Sequence, residues 1–165
     1  LAMATPYELV ELFPAGSHVE PHPSSWSTSR DDIAAMSPYP LWKSPGNATH
    51  RAQWEYVHHC LDVVAIARRY GDGGEAKRYA AMADERLQPG LHSCQFWWAS
   101  RRPMWEPSLV LRGLLLLNEA LVYGCRSVQH GSAPERAKLE VRWRLAAANS
   151  ARAELERQLI METVE

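Results

Sequence analysis

The sequence predicts an all-α fold, a helical bundle of about four to five helices preceded by a proline-rich extended segment. Three observations predict it. Seven of the eleven prolines lie in the first 47 of 165 residues. Beyond Asn47, apolar residues recur at three- and four-residue spacing. Helix-start signals stand at Thr5, Asn47, Pro107 and Ser132. The chain therefore divides into residues 1–47, extended apart from a short N-terminal helix, and residues 48–165, the bundle.

Thr5-Pro6-Tyr7-Glu8 reads as a capping box with proline at the first helical position. It opens a short helix to about Phe13 that Pro14 and Gly16 end. From His18 to Asn47, Pro21, Pro23, Pro38, Pro40 and Pro45 remove backbone donors and fix φ. This stretch is expected to run extended against the rest, with one helical turn at 31–36. Asn47 then caps a helix whose face carries Val57, Leu61, Val64, Ala65 and Arg68 and which ends at Gly71. After Gly73-Gly74 a second amphipathic helix, 75–87, shows Tyr79, Met82, Ala83 and Leu87 on one side before Pro89-Gly90. The two are expected to pack as a hairpin. The aromatic stretch 91–100 is expected to be helical. Pro107 opens a helix through Leu109, Leu114, Leu117 and Leu121 to Gly124. Its apolar residues surround it, so it is expected to be the most buried element. Ser132-Ala133-Pro134-Glu135 is a second capping box, opening a helix to about Thr163 that is roughly 45 Å long at 1.5 Å per residue. On it Leu139, Trp143, Ala146, Ser150 and Ala153 form one seam, and Val141, Leu145, Ala148, Leu155 and Leu159 another. Two seams imply more than one neighbour, a second copy of the chain among them.

At this length one domain buries roughly two-thirds of its unfolded surface. A net charge of −1 and a pI near 6.7 disfavour a nucleic-acid partner. Three scattered cysteines, Cys60, Cys94 and Cys125, with no CxxC pair, point to reduced thiols and a cytoplasmic setting. The uninterrupted apolar run 114–117 falls far short of a bilayer span of about 20 residues, so no membrane role is expected. The opening Leu1-Ala2-Met3, running straight into a helix signal, suggests a piece of a longer chain.

Seven tryptophans exceed what a small helical core needs: Trp26, Trp42, Trp54, Trp97, Trp98, Trp105 and Trp143. An indole face stacks on the C–H face of a sugar ring while neighbouring polar groups meet the hydroxyls. Trp26 and Trp42, on the extended segment, are the readiest to line a groove. In Gln95-Phe96-Trp97-Trp98 the adjacent indoles diverge by about 100° on a helix. Either one of them reaches a rim as a platform or both are wedged between helices. His50, Trp54 and His58 share a helical face, with His59 beside them and His92 in reach from another helix, but no HExxH or Cys/His quartet accompanies them. No metal and no cofactor are expected. No Gly-x-Ser-x-Gly elbow occurs, and no carboxylate pair is placed for glycoside cleavage: Glu106 and Glu119 fall on nearly opposite helical faces.

Thr5-Pro6-Tyr7-Glu8, Pro23-Ser24-Ser25-Trp26-Ser27, the series Trp42, Asn47, Trp54, and Ser93-Cys94-Gln95-Phe96-Trp97-Trp98 together resemble the region after the catalytic barrel in glycoside hydrolase family 57. The similar pieces span roughly residues 5–117. Ser25 stands where that family has glycine, and Cys94-Gln95 where it tends to have Ser-Asp. The resemblance implies an accessory domain of an α-glucan-active hydrolase or glucanotransferase whose catalytic carboxylates lie on an upstream barrel. Trp26, Trp42, Trp97, Trp98 and Gln95 would then border an α-glucan or oligosaccharide cleft, and the barrel would be a partner. The alternatives are a stand-alone helical interaction module that dimerises through the last helix, and a histidine-lined metal bundle.

Overall fold

A computed structural model describes residues 3–13, 16–18 and 20–164, with side chains as far as Met161. Among the described residues all regular structure is helical: α1 (Pro6–Leu12), α2 (Arg30–Ala34), α3 (Ala48–Tyr70), α4 (Gly74–Gly90), α5 (Cys94–Trp97), α6 (Pro107–His130) and α7 (Glu135–Val164). The last five form the expected bundle. Residues 20–46 cross its surface as an irregular strap.

Local capping chemistry sets several boundaries. The Thr5–Glu8 box closes at α1, where the Glu8 carboxylate accepts from the Thr5 N–H at 2.8 Å. Pro14, the expected stop, lies outside the described residues. The Asn47 Oδ1 accepts from the His50 N–H at 3.1 Å, satisfying an orphan donor of α3. Gly71 ends α3 at a contact that excludes any side chain: a Cβ there would lie 2.5 Å from the Ser127 Oγ and 2.6 Å from the Ala67 carbonyl. Gly124, the expected end of α6, lies inside that helix, which runs on to His130; a Cβ there would come within 2.8 Å of Val63 Cγ1, so α3 and α6 pack closely.

Packing corrects several sequence expectations. The buried face of α3 carries Tyr56, Val57, Cys60, Val63, Val64 and Ala67, while Ala65 and Arg68 are exposed. Helix α4 packs chiefly on α6 rather than pairing with α3 as a hairpin. Its inward stripe is the small-residue one, Ala76, Ala80, Ala83, Leu87 and Gly90, because small side chains let the backbones approach. Tyr79 and Met82 sit at the margin, and the Tyr79 ring stacks against Tyr123 at 6.3 Å. Pro89 falls inside the last turn of α4 instead of beyond it. The stretch 91–100 is a single turn, α5, rather than a continuous helix. Helix α7 opens at Glu135, and the Ser132 hydroxyl donates to Asp72 at 2.7 Å instead of capping it.

Helix α6 is not the most buried element. Leu114, Leu117, Ala120 and Leu121 face the core, but Leu111, Leu115 and Val122 are exposed. As one continuous helix of 24 residues it is long and apolar enough to cross a membrane, with a mean hydropathy of 1.4 over its best window. The short apolar run read from sequence had concealed this. Central helices of bundles meet the same criterion, and α6 packs on α3, α4 and α7.

Candidate functional site

A ladder of buried amides and imidazole builds the site. Asn47, His50 and Gln53 lie three apart on α3, all nearly inaccessible. Each takes a carbonyl of the aromatic segment opposite. The Asn47 Nδ2 donates to Ala99 at 2.7 Å, the His50 Nε2 meets Phe96 at 2.9 Å, and the Gln53 Nε2 donates to Gln95 at 3.0 Å. These bonds tie the segment 95–99, in which α5 is a single turn, to α3. The second nitrogen of His50, Nδ1, accepts from the Ser44 N–H at 3.2 Å and so pins the strap to α3. Those partners fix the imidazole neutral, with its proton on Nε2. Burial, opposed in part by the Phe96 carbonyl, holds its pKa below the usual histidine value.

Further bonds shape the strap. The Thr28 hydroxyl donates to the Pro38 carbonyl at 2.7 Å, closing the loop that carries α2, and its oxygen accepts from the Ser25 N–H at 2.7 Å, closing the turn that carries Trp26. At α2, Asp32 accepts from the Ser29 N–H and hydroxyl and from Arg102 at 2.8 Å, and these contacts hold its carboxyl at about 2. The Trp54 Nε1 donates to the Trp42 carbonyl at 2.8 Å.

The strap and α3 enclose an aromatic groove. Trp54 forms its floor, stacked on Phe96 with centroids 4.5 Å apart and planes 13° apart, with the Lys43 ammonium 5.7 Å from its ring centroid. Lys43 borders a hollow of about 650 Å³ whose walls include Met36, Pro38, Tyr39 and His58. It also borders one of about 350 Å³ lined by Tyr39, Trp42, Leu91 and Phe96. Trp26, 81% exposed, stands edge-on to Trp42 at 5.9 Å and extends the aromatic run outward. The larger volume lies within the range of small-ligand sites, roughly 300–1,000 Å³.

Of the five residues expected to border a sugar cleft, Trp26 and Trp42 meet here and the others do not. Trp98 lines a separate hollow with His92, whose ring lies 5.3 Å away. Trp97 is half-buried, borders neither side of the groove, and has an indole N–H without a partner. Gln95 is fully buried and donates to the Gly90 carbonyl at 2.5 Å. Its amide packs against Gly113 in the core and does not reach the groove. Sequence reasoning passed over Tyr39, Lys43, Phe96 and the floor position of Trp54. The i, i+4, i+8 series His50, Trp54, His58, weighed as a metal face, was the available signal: it is the face of α3 that the strap covers.

No family model, curated protein or solved structure matches the chain. The chemistry of the groove must be read from its own residues. Among the described residues Glu55 is the one carboxylate on the walls of the larger hollow, so they do not assemble there the pair needed for glycoside cleavage. Among the described residues no three His, Cys, Asp or Glu side chains converge on a metal-sized site. Both His50 nitrogens are engaged by the backbone.

Proposed function

We propose that the chain is a carbohydrate-binding helical module, the accessory or C-terminal domain of an α-glucan-active glycoside hydrolase or glucanotransferase of the family 57 type. The observation that carries the reading is the run Trp26, Trp42, Tyr39 and Trp54 along an open groove of sugar-sized volume. Indole faces in such a run accept the C–H faces of successive rings, while Lys43, Glu55 and His58 offer polar groups to hydroxyls. The groove binds without cleaving, and the carboxylates for catalysis come from a barrel partner. Three unpaired thiols support a cytoplasmic setting, with burial pushing Cys60 up to about 12 and Cys125 to about 11.

Titration with maltooligosaccharides, followed by intrinsic tryptophan fluorescence, tests this. A saturable change with a Kd of about 1 mM or tighter is expected, weakened roughly five- to tenfold in Trp26→Ala as one stacking contact is lost. Trp97→Phe should bind as the parent does. A flat titration in the parent, or equal loss in both variants, rejects the groove as the sugar site.

A further inference from the structure

The outer face of α7 carries a second heptad seam. Residues 139, 143, 146, 150, 153, 157 and 160 follow the four–three spacing of a coiled-coil stripe, and all seven are exposed. Ala137, Val141, Ala148, Ala151, Leu155 and Leu159 are buried on the inner face. On the outer seam Leu139 is 59% exposed, Trp143 60% and Ile160 63%. Trp143 is held in place: its ring meets the edge of His59 at 5.7 Å, and the Arg144 guanidinium lies 5.5 Å from its centroid. Arg144 is itself fixed by ion pairs to Asp62 and Glu140. A large, preorganised indole in open solvent is the kind of group that anchors an interface.

We propose that this seam docks a second copy of the chain, antiparallel, across a two-fold axis near residues 150–153. Self-pairing in that sense sets Trp143 against Ile160 of the other copy at both ends. The small residues Ser150 and Ala153 face each other at the centre, so the helices can approach. Charge chooses the same direction. The N-terminal half of α7 carries Arg136, Lys138, Arg142 and Arg144 against Glu135 and Glu140, whereas 150–164 carries Glu154, Glu156 and Glu162 against Arg152 and Arg157. Antiparallel pairing lays the basic half on the acidic one. Parallel pairing would stack like on like and set Arg157 on Arg157 in the seam. Arg157 is bound within its own helix to Glu154 at 2.7 Å, so in the antiparallel pair its stem lies beside Ala146 without an orphaned charge. The seam supplies fewer residues than the ~20–30 per side of a standard interface, which makes this a weak, reversible dimer. The inference is independent of the sugar groove.

Sedimentation velocity on the whole chain, from about 1 to 100 µM, should show a monomer–dimer equilibrium. Trp143→Asp and Ile160→Asp should each weaken it at least tenfold while the helical circular dichroism is kept, since both side chains are exposed. In a Cys94→Ser background, oxidising a mixture of Ser150→Cys and Ala153→Cys proteins should link 150 to 153 in the recovered peptides more than 150 to 150. A monomer throughout, as expected if the seam serves a different protein, overturns the proposal. So does a dimer indifferent to Trp143→Asp, or predominant 150–150 linkage.

Discussion

Replacing His50 with leucine is expected to lower stability by about 2–4 kcal/mol and to release the strap. The side chain is 1% exposed and joins three parts of the molecule: its own helix, the Ser44 N–H of the strap and the Phe96 carbonyl of α5. Leucine has similar bulk, so the loss is chiefly that of two hydrogen bonds, one to the buried Phe96 carbonyl and one to the half-buried Ser44 N–H, at about 1–3 kcal/mol each before relaxation. Urea unfolding measures the total, and trypsin cleavage after Lys43 reports the strap. A change below about 0.5 kcal/mol with Lys43 still protected would show that the ladder does not hold the strap. Acid should act on the same bond. Protonation would place a second N–H on Nδ1, facing the Ser44 donor. The folded pKa is lowered, so the folded state binds fewer protons than the unfolded chain, and stability rises with pH through this window. It is full above about 6.5 and falls as pH drops below that value. His59, also lowered by burial and by Arg144, adds in the same direction. Asp32 acts separately: its stabilisation is present above its unfolded value near 3.8 and is lost as pH falls toward about 2. Unfolding at pH 7.5 and pH 5 should therefore differ in the parent and differ less in His50→Gln; equal differences would remove His50 as the acid-sensitive group.

Features of the fold that depend on neighbouring residues were legible in the sequence, and those that depend on what lies across the bundle were not. Thr5, Asn47, Gly71 and Pro107 mark helix ends because a cap bonds to backbone within a few residues. The face of α3 was misjudged by a residue because periodicity cannot say that Asn47, His50 and Gln53 belong inside. Their burial is made tolerable by the carbonyls of 95–99, distant in sequence. In that same segment α5 is a single turn, with Gln95 in the core and Trp97 and Trp98 away from the groove. Trp26 and Trp42 were found because proline excludes regular helix from the strap, leaving its aromatics to pack over the bundle's surface. The two apolar seams of α7 were both visible; which one faced inward was not, since each has helical spacing and only the position of α3 decides between them.

Leu121→Ala is expected to cost about 2–5 kcal/mol, and Leu115→Gln less than about 0.5. Both lie on α6, six residues apart, in the helix whose composition alone would let it span a bilayer. Leu121 is inaccessible, within the cluster that includes Val63, Val64 and Ala120, so truncation removes packed methyls and leaves a cavity that the surrounding helices fill only in part. Leu115 is 58% exposed and its leucine gains little from folding. For a chain of this length each kcal/mol lowers Tm by about 2–4 °C, so thermal and urea unfolding both resolve the contrast. Large loss at 121 with none at 115 is the signature of a bundle helix with one face in water. Comparable losses at both positions would mean that the outer face, Leu111, Leu115 and Val122, is covered as well, by lipid or by another chain. Small losses at both would mean that α6 is not the core of this domain, and with it would go the close α3–α6 contact at Gly124 on which the position of the groove's floor depends.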